Sequence, residues 1–186
     1  MDNERQSLLY RIDSERSEIA FSVKHLMISK VKGHFERFRG EFRLDPRDPE
    51  KSKLEGIIEV ASIRTQDSAR DTYLRTGEFF DPARYPEMSF CSEVIRPEGK
   101  ELVRIDGILQ IKEVRGAVEL RVTSGAHILR AGVPSTGEPP ASIEMQAQAK
   151  IDRRSFGLVW PPAIEAGGVL VGNEVEIDLK IHLVRV

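Results

Sequence analysis

The sequence predicts an all-β fold, namely a single antiparallel, eight-stranded, extended β-barrel with one short helix. Apolar and polar residues alternate in about eight runs along the 186 residues, which is the pattern of strands with one buried face. Most of these runs have a polar face, which antiparallel sheets tolerate and parallel sheets do not. Closure into a barrel removes the unpaired edges that an open sandwich would leave, so a barrel is favoured.

The first half of the chain is predicted to contain strands separated by a kink and a loop. Alternation begins at residues 18–24 and changes parity between Phe35 and Phe38, which predicts a bulge or turn between them. Residues 45–49 contain two prolines and two aspartates, which favour turns and cannot sustain a ladder. A loop is therefore expected there.

The one helix is predicted over residues 67–75, because Asp67 can cap the N–H groups of the turn that follows it. The rings and prolines of residues 79–86 predict a packed, irregular connection. Residues 125–140 are rich in Gly and Pro and are predicted to form a flexible interval. The later strands are predicted at residues 88–94, 103–111, 118–122, 143–151 and 175–183.

Composition excludes several classes of function. The 28 Lys and Arg against 30 Asp and Glu give a net charge of −2, so nothing favours nucleic acid as a partner. A single cysteine, Cys91, excludes an internal disulfide and a structural zinc site rich in cysteine. No transmembrane segment and no signal peptide are evident, so we expect one cytoplasmic domain over residues 1–186.

Several segments resemble, in order, the motifs of the YceI-like family of polyisoprenoid-binding, lipocalin-like barrels. The segments are Tyr10–Asp13, Ser17–Phe21, Val23–Phe35, Ala61–Thr65, Arg70–Asp71, Phe79–Asp81 and Tyr85–Phe90. The resemblance covers nearly the whole chain. Two departures are Arg16 and Tyr73, which stand where the family commonly has histidine, and they bear on contacts with a ligand's head group.

The resemblance implies a barrel whose interior binds a long-chain apolar isoprenoid, of the isoprenoid quinone or polyprenyl phosphate type, and performs no chemistry on it. It also implies a homodimer. No catalytic residue, metal or cofactor is predicted, apart from a bound isoprenoid or isoprenoid quinone as the ligand. Many relatives are exported, whereas this chain has no export signal.

Eleven residues are candidates for contact with this ligand. Seven are inward apolar residues of the strands, and His25 continues their parity, so its imidazole can donate to a head-group oxygen. Arg70 can contact an anionic head group, and Phe79 and Phe80 can close one end of the barrel. The eleven are Ile19, Phe21, Val23, His25, Arg70, Phe79, Phe80, Phe90, Leu109, Val118 and Leu120. Copper could suit His25, Met27 and His34, but their spacing gives no assurance that they converge on one point, so no metal site is predicted.

Two alternatives remain open at this point. The chain could be an enzyme for a hydrophobic substrate, with His25, Asp71 or Tyr73 as acid or base. It could also be an interaction module with a filled barrel that dimerises through an apolar patch. Titratable side chains that converge in one cavity would favour the enzyme, and a barrel without a cavity would favour the module.

Overall fold

The structure of the chain is a computed structural model that describes residues 7–25, 29–99, 102–132, 138–160 and 171–186. The strands are β1 (Leu8–Ile12), β2 (Glu18–His25), β3 (Ser29–Phe35), β4 (Phe38–Leu44), β5 (Lys53–Glu59), β6 (Ile63–Arg64), β7 (Glu87–Glu98), β8 (Leu102–Ile111), β9 (Val114–Ser124), β10 (Ser142–Asp152) and β11 (Val171–Arg185). The helices are α1 (Ser68–Leu74) and α2 (His127–Ala131), and short 3-10 turns lie at Pro49–Lys51, Val60–Ser62 and Arg153–Phe156.

These strands form one closed antiparallel sheet. Each of the pairs β1/β2, β3/β4 and β5/β6 acts as a single kinked strand, so the barrel has eight strands. Around the barrel, neighbouring strands follow the order β1/β2, β3/β4, β5/β6, β7, β8, β9, β10 and β11. Closure occurs at β11, which pairs with β2 along residues 171–180 and with β1 along residues 183–185. The predicted antiparallel barrel is confirmed, and the parity change after Phe35 is the kink between β3 and β4.

Serine hydroxyls replace ladder hydrogen bonds where the strands kink. Where β1 passes into β2, the Ser17 hydroxyl accepts from the His182 N–H at 2.9 Å. At the kink beside β5 and β6, the buried Ser62 hydroxyl accepts from the Arg37 N–H at 3.1 Å and donates to the Glu59 carbonyl at 2.6 Å. These hydroxyls satisfy backbone groups that the interrupted ladder leaves without a strand partner.

Helix α1 begins where the sequence predicts it. The Asp67 carboxylate accepts from the Arg70 N–H at 3.0 Å, and this hydrogen bond lowers the pKa of Asp67. The prediction that residues 125–140 form only a flexible interval is wrong over residues 127–131, where α2 forms. Ala126 provides no side-chain cap, so α2 depends on the burial of its side chains Ile128 and Leu129.

The two ends of the barrel differ in how they are filled. We call the end that carries α2 the lower end and the end that carries α1 the upper end. The lower end is a solid core whose side chains have at most 1% of their surface exposed, namely Tyr10, Phe42, Leu44, Ile95, Val103, Leu129 and Leu183. Inward side chains of β2 and β11 nearer the upper end, such as Phe21 and Ile177, are only partly buried.

The outer face of the barrel is polar. Ion pairs join neighbouring strands, for example Lys30 with Glu176 and Lys180 with Glu18. Cys91, on the outward face of β7, is exposed and forms no disulfide. Within the described ranges, no helix is long and apolar enough to cross a membrane.

Candidate functional site

The upper part of the barrel contains a cavity of ≈ 350 Å³. Inward side chains of β2, β3, β5 and β7 to β11 form its wall, and side chains of α1 and of residues 79–80 also line it. The partial exposure of Ile19, Phe21 and Leu179 arises because these inward side chains face this space. A barrel with such a cavity is not the filled module that the sequence left open.

All eleven candidate ligand-binding residues border the cavity. The position of the eight strand residues follows from alternation, since every second residue of a strand points to the same face. The structure brings them together from four strands, helix α1 and the α1–β7 connection. That they contact a ligand stays a prediction.

Three glycines shape the interior of the barrel. Glycines lie beside two wall phenylalanines, and a Cβ at Gly33 would lie 2.3 Å from Phe21 Cζ, while one at Gly107 would lie 2.5 Å from Phe90 Cζ. The two rings therefore occupy the space that a side chain at either glycine would need. A Cβ at Gly56, also on the wall, would have no atom within 4 Å and would point into open space.

Four aromatic side chains cluster at the upper end. Tyr73 and Trp160 stack with ring centroids 5.3 Å apart, Phe79 lies 4.8 Å from Trp160, and Phe80 meets Phe79 edge to face at 5.0 Å. Burial raises the pKa of Tyr73, and the Glu78 carboxylate adds to the shift. In the part of the chain that the structure describes, the buried Tyr73 hydroxyl and Trp160 Nε1 have no hydrogen-bond partner.

Arg70 and Asp71 meet at one hydroxyl. Thr65 Oγ1 donates to the buried Asp71 carboxylate at 2.6 Å and accepts from Arg70 Nε at 3.0 Å, and the Thr65 N–H donates to Asp71 at 2.9 Å. Although the two residues are adjacent on α1, both reach the same Thr65 side chain. Asp71 anchors α1 to the barrel, and Arg70 also borders the cavity.

Arg153 is a second cation on the cavity wall. Its side chain is 4% exposed and donates to the Leu158 carbonyl at 2.7 Å, the Gly172 carbonyl at 3.0 Å and Asn173 Oδ1 at 2.9 Å. These bonds attach the 153–156 turn to the start of β11. The upper wall thus carries two guanidinium groups, from Arg70 and Arg153, together with the His25 imidazole.

Among the described residues, the histidine and acidic side chains at this end do not come together in one group. His25 lies on the inward face of β2, whereas His34 lies on the outward face of β3, and Met27 lies outside the described residues. The described ranges contain no group of three His, Cys, Asp or Glu side chains suited to a metal. No side-chain hydrogen bond joins any two of His25, Asp71 and Tyr73 among the described residues.

Other wall residues were not among the sequence candidates. On β10 and β11 the alternation of apolar residues could have identified them, because Met145, Ala147 and Ile177 follow the same pattern as the predicted residues. Trp160 and Arg153 carried no local signal of this kind. Arg39 and Glu55 also border the cavity beside the Gly40–Gly56 pair, although alternation directs their side chains outward.

Comparison with known proteins gives one consistent result. The family model described as YceI-like domain matches residues 10–183. A UPF0312 protein of Staphylococcus aureus strain USA300 is 28% identical over 169 residues, which is 91% of this chain and 93% of that protein.

Two solved structures have the same fold as this chain. BcnA of Burkholderia cenocepacia matches with a TM-score of 0.76 at 22% identity, over 92% of this chain and 98% of that one. A polyisoprenoid-binding domain from Saccharophagus degradans matches with a TM-score of 0.69 at 16% identity, over 96% of this chain and 99% of that one. At these identities the two likenesses concern the fold alone.

Proposed function

The chain belongs to the YceI-like domain family, and from this premise we propose that it is a binding protein that holds an apolar isoprenoid-type molecule inside its barrel. The ligand is an isoprenoid quinone or a polyprenyl phosphate, held without chemical change. The observation that carries this proposal is the cavity of ≈ 350 Å³ with a nearly continuous apolar wall. Pockets for small molecules have volumes of about 300 to 1,000 Å³ and are mostly apolar.

The apolar tail supplies the free energy of binding. Each methylene group that leaves water for this wall contributes about 0.8 kcal/mol. Affinity therefore depends on how much of the tail the barrel encloses, and less on any single polar contact. The polyisoprenoid-binding domain of Saccharophagus degradans, which has this fold, is consistent with a ligand of this class.

The head group of the ligand lies at the upper end. Arg70 and His25 on the inward wall there can donate hydrogen bonds to oxygen acceptors of a ligand, whereas the Arg153 guanidinium already donates to the Leu158 and Gly172 carbonyls and to Asn173. Quinone carbonyls and phosphate oxygens are such acceptors. The aromatic cluster of Tyr73, Phe79, Phe80 and Trp160 offers flat surfaces on which a quinone ring can stack.

Mass spectrometry of the natural cargo tests the proposal. The protein is purified without delipidation, its organic extract is analysed for prenyl lipids, and native mass spectrometry gives the stoichiometry. We expect one prenyl lipid per chain. Protein that carries no lipid and also binds no added quinone would contradict the proposal.

An enzymatic function is not proposed, because no observation on the cavity wall favours it over binding. Transport or storage of the ligand, a homodimer and a cytoplasmic location are further proposals that follow the family resemblance and the sequence. Sedimentation velocity of the purified protein tests the dimer. Cell fractionation tests the location.

A further inference from the structure

We infer that the cavity is closed at its lower end and limits the enclosed tail of the ligand to about three or four isoprene units. This inference rests on the proposed binding function and adds to it the length class of the ligand. Three observations lead to it: the solid core below the cavity, the volume of the cavity, and its depth along the strands.

The floor of the cavity is made by side chains that pack on a filled layer. Ile105, Val122 and Met145 border the cavity from below and are at most 7% exposed. Beneath them lies the fully buried core of the lower end. Helix α2 packs on β7 and contributes Leu129, which is 0% exposed, to that core. A tail that enters from the upper end meets this floor.

The volume of the cavity gives the first limit. An apolar cavity of about 150 Å³ holds benzene, which corresponds to about 25 Å³ per carbon atom. At that ratio ≈ 350 Å³ accommodates about 14 carbon atoms. Since an isoprene unit has five carbon atoms, the enclosed tail is about three units long.

The depth of the cavity gives an independent limit. Wall residues of β2 and β11 run from the level of His25 or Val23 down to Ile181, which spans about six to eight residues of strand. At about 3.4 Å per residue and a tilt of about 40°, this depth is about 16 to 21 Å. An extended carbon chain advances about 1.25 Å per bond, so 13 to 17 bonds fit. With four main-chain bonds per isoprene unit, the limit is three to four units.

The consequence is a break in the dependence of affinity on tail length. Each unit that the cavity encloses loses its contact with water and strengthens binding at least ten-fold. Units beyond the limit remain outside the upper end and add nothing comparable. Met145 and Ala147 lie on the inward face of β10 at and just above the floor, so their size sets where the break falls.

Trp160 provides the measurement. It is the only tryptophan of the chain and borders the cavity, so a bound quinone is expected to quench its fluorescence. The probes are ubiquinone analogues with one, two, four and ten isoprene units and a common head group. We expect the Kd to fall at least ten-fold per unit up to about four, and by less than three-fold between four and ten units.

Two variants move the floor in opposite directions. Ala147→Leu adds three carbon atoms above the floor and is expected to weaken the four-unit analogue at least ten-fold while it leaves the one-unit analogue unchanged. Met145→Ala removes three heavy atoms and is expected to strengthen the four-unit analogue without affecting the one-unit analogue. Gln148→Leu, on the outward face of the same strand, is the matched control and should change neither Kd.

The possible results separate the two proposals. If no analogue binds, the proposed function fails and this inference fails with it. If the ten-unit analogue binds more than ten-fold tighter than the four-unit one, the barrel binds prenyl tails but its lower end does not limit them. If Ala147→Leu or Met145→Ala changes all analogues equally, residues 145 and 147 do not set the length, and the inference is again overturned.

Discussion

Gly56 offers the sharpest test of the cavity as a binding site. It lies on the cavity wall in β5, opposite Gly40 and Phe90, and a Cβ built there would have no atom within 4 Å. Its backbone is not in the left-handed region, so a residue with a side chain can adopt it. Gly56→Leu therefore adds four carbon atoms on the cavity wall, and the first of them, the Cβ, meets no atom within 4 Å.

The expected effect follows from the space that is lost. At about 25 Å³ per carbon, the leucine side chain occupies about 100 Å³ of the ≈ 350 Å³ cavity. A tail that fills the cavity then loses the burial of about four carbons, or about 3 kcal/mol, which raises its Kd about 100-fold or more. The unliganded protein should become slightly more stable, because Gly weakens a strand by about 0.5 to 1 kcal/mol.

Binding and stability are thus expected to change in opposite directions. The Kd of a four-unit ubiquinone analogue is measured by quenching of Trp160, and the free energy of unfolding is measured in urea without ligand. Gly56→Ala is the control, since it makes the same backbone change but adds one carbon and should raise the Kd less than five-fold. A folded Gly56→Leu protein that binds within three-fold of the wild type would refute the cavity as the binding site.

Three further predictions concern stability. The hydrogen bond from the Arg154 guanidinium lowers the pKa of Asp152 from 3.8 to about 2. Because the pKa is depressed in the folded protein, ionised Asp152 stabilises the fold above about pH 4, and this stabilisation is lost as the pH falls towards 2. The difference in Tm between wild type and Asp152→Asn should therefore shrink between those pH values, and a constant difference would contradict this. Ser62→Ala should lower the free energy of unfolding by about 2 kcal/mol, because two backbone groups lose their partner, whereas the exposed Ser89→Ala should change it by less than 0.5 kcal/mol. Asp71→Ala should lower the free energy of unfolding in urea by about 2 kcal/mol, and Asp71→Asn should lower it less, because the amide oxygen still accepts the hydrogen bonds from Thr65. Equal losses in the two variants would refute this account.

The sequence predicted the wall of the cavity because alternation is a local property. A strand residue such as Phe21 or Leu109 points to the same face as its neighbours two positions away, whatever the rest of the fold does. The same reasoning located the kink after Phe35 and the helix that Asp67 caps. Each of these features depends on a few residues that are adjacent in the chain.

Features that depend on distant residues could not be predicted in this way. Helix α2 has five residues and no side-chain cap, and it lies between Gly125 and Gly132, which both have positive φ. Its helical structure is stabilised by packing at the lower end of the barrel, which the sequence does not display. Arg153 is buried because its partners Leu158 and Gly172 reach it from the following turn and from β11.

The division of the barrel into a filled lower half and a hollow upper half has an energetic reason. A closed, dry apolar cavity destabilises a protein by about 24 cal/mol per Å³, which gives an upper limit of about 8 kcal/mol for the partly open cavity of ≈ 350 Å³. That cost is comparable with the whole free energy of unfolding of a typical domain, about 5 to 15 kcal/mol. The dense core around Tyr10, Leu129 and Leu183 offsets it and keeps the unliganded barrel folded. A tail that fills the cavity restores the missing contacts, so ligand binding and stability are coupled through the same volume.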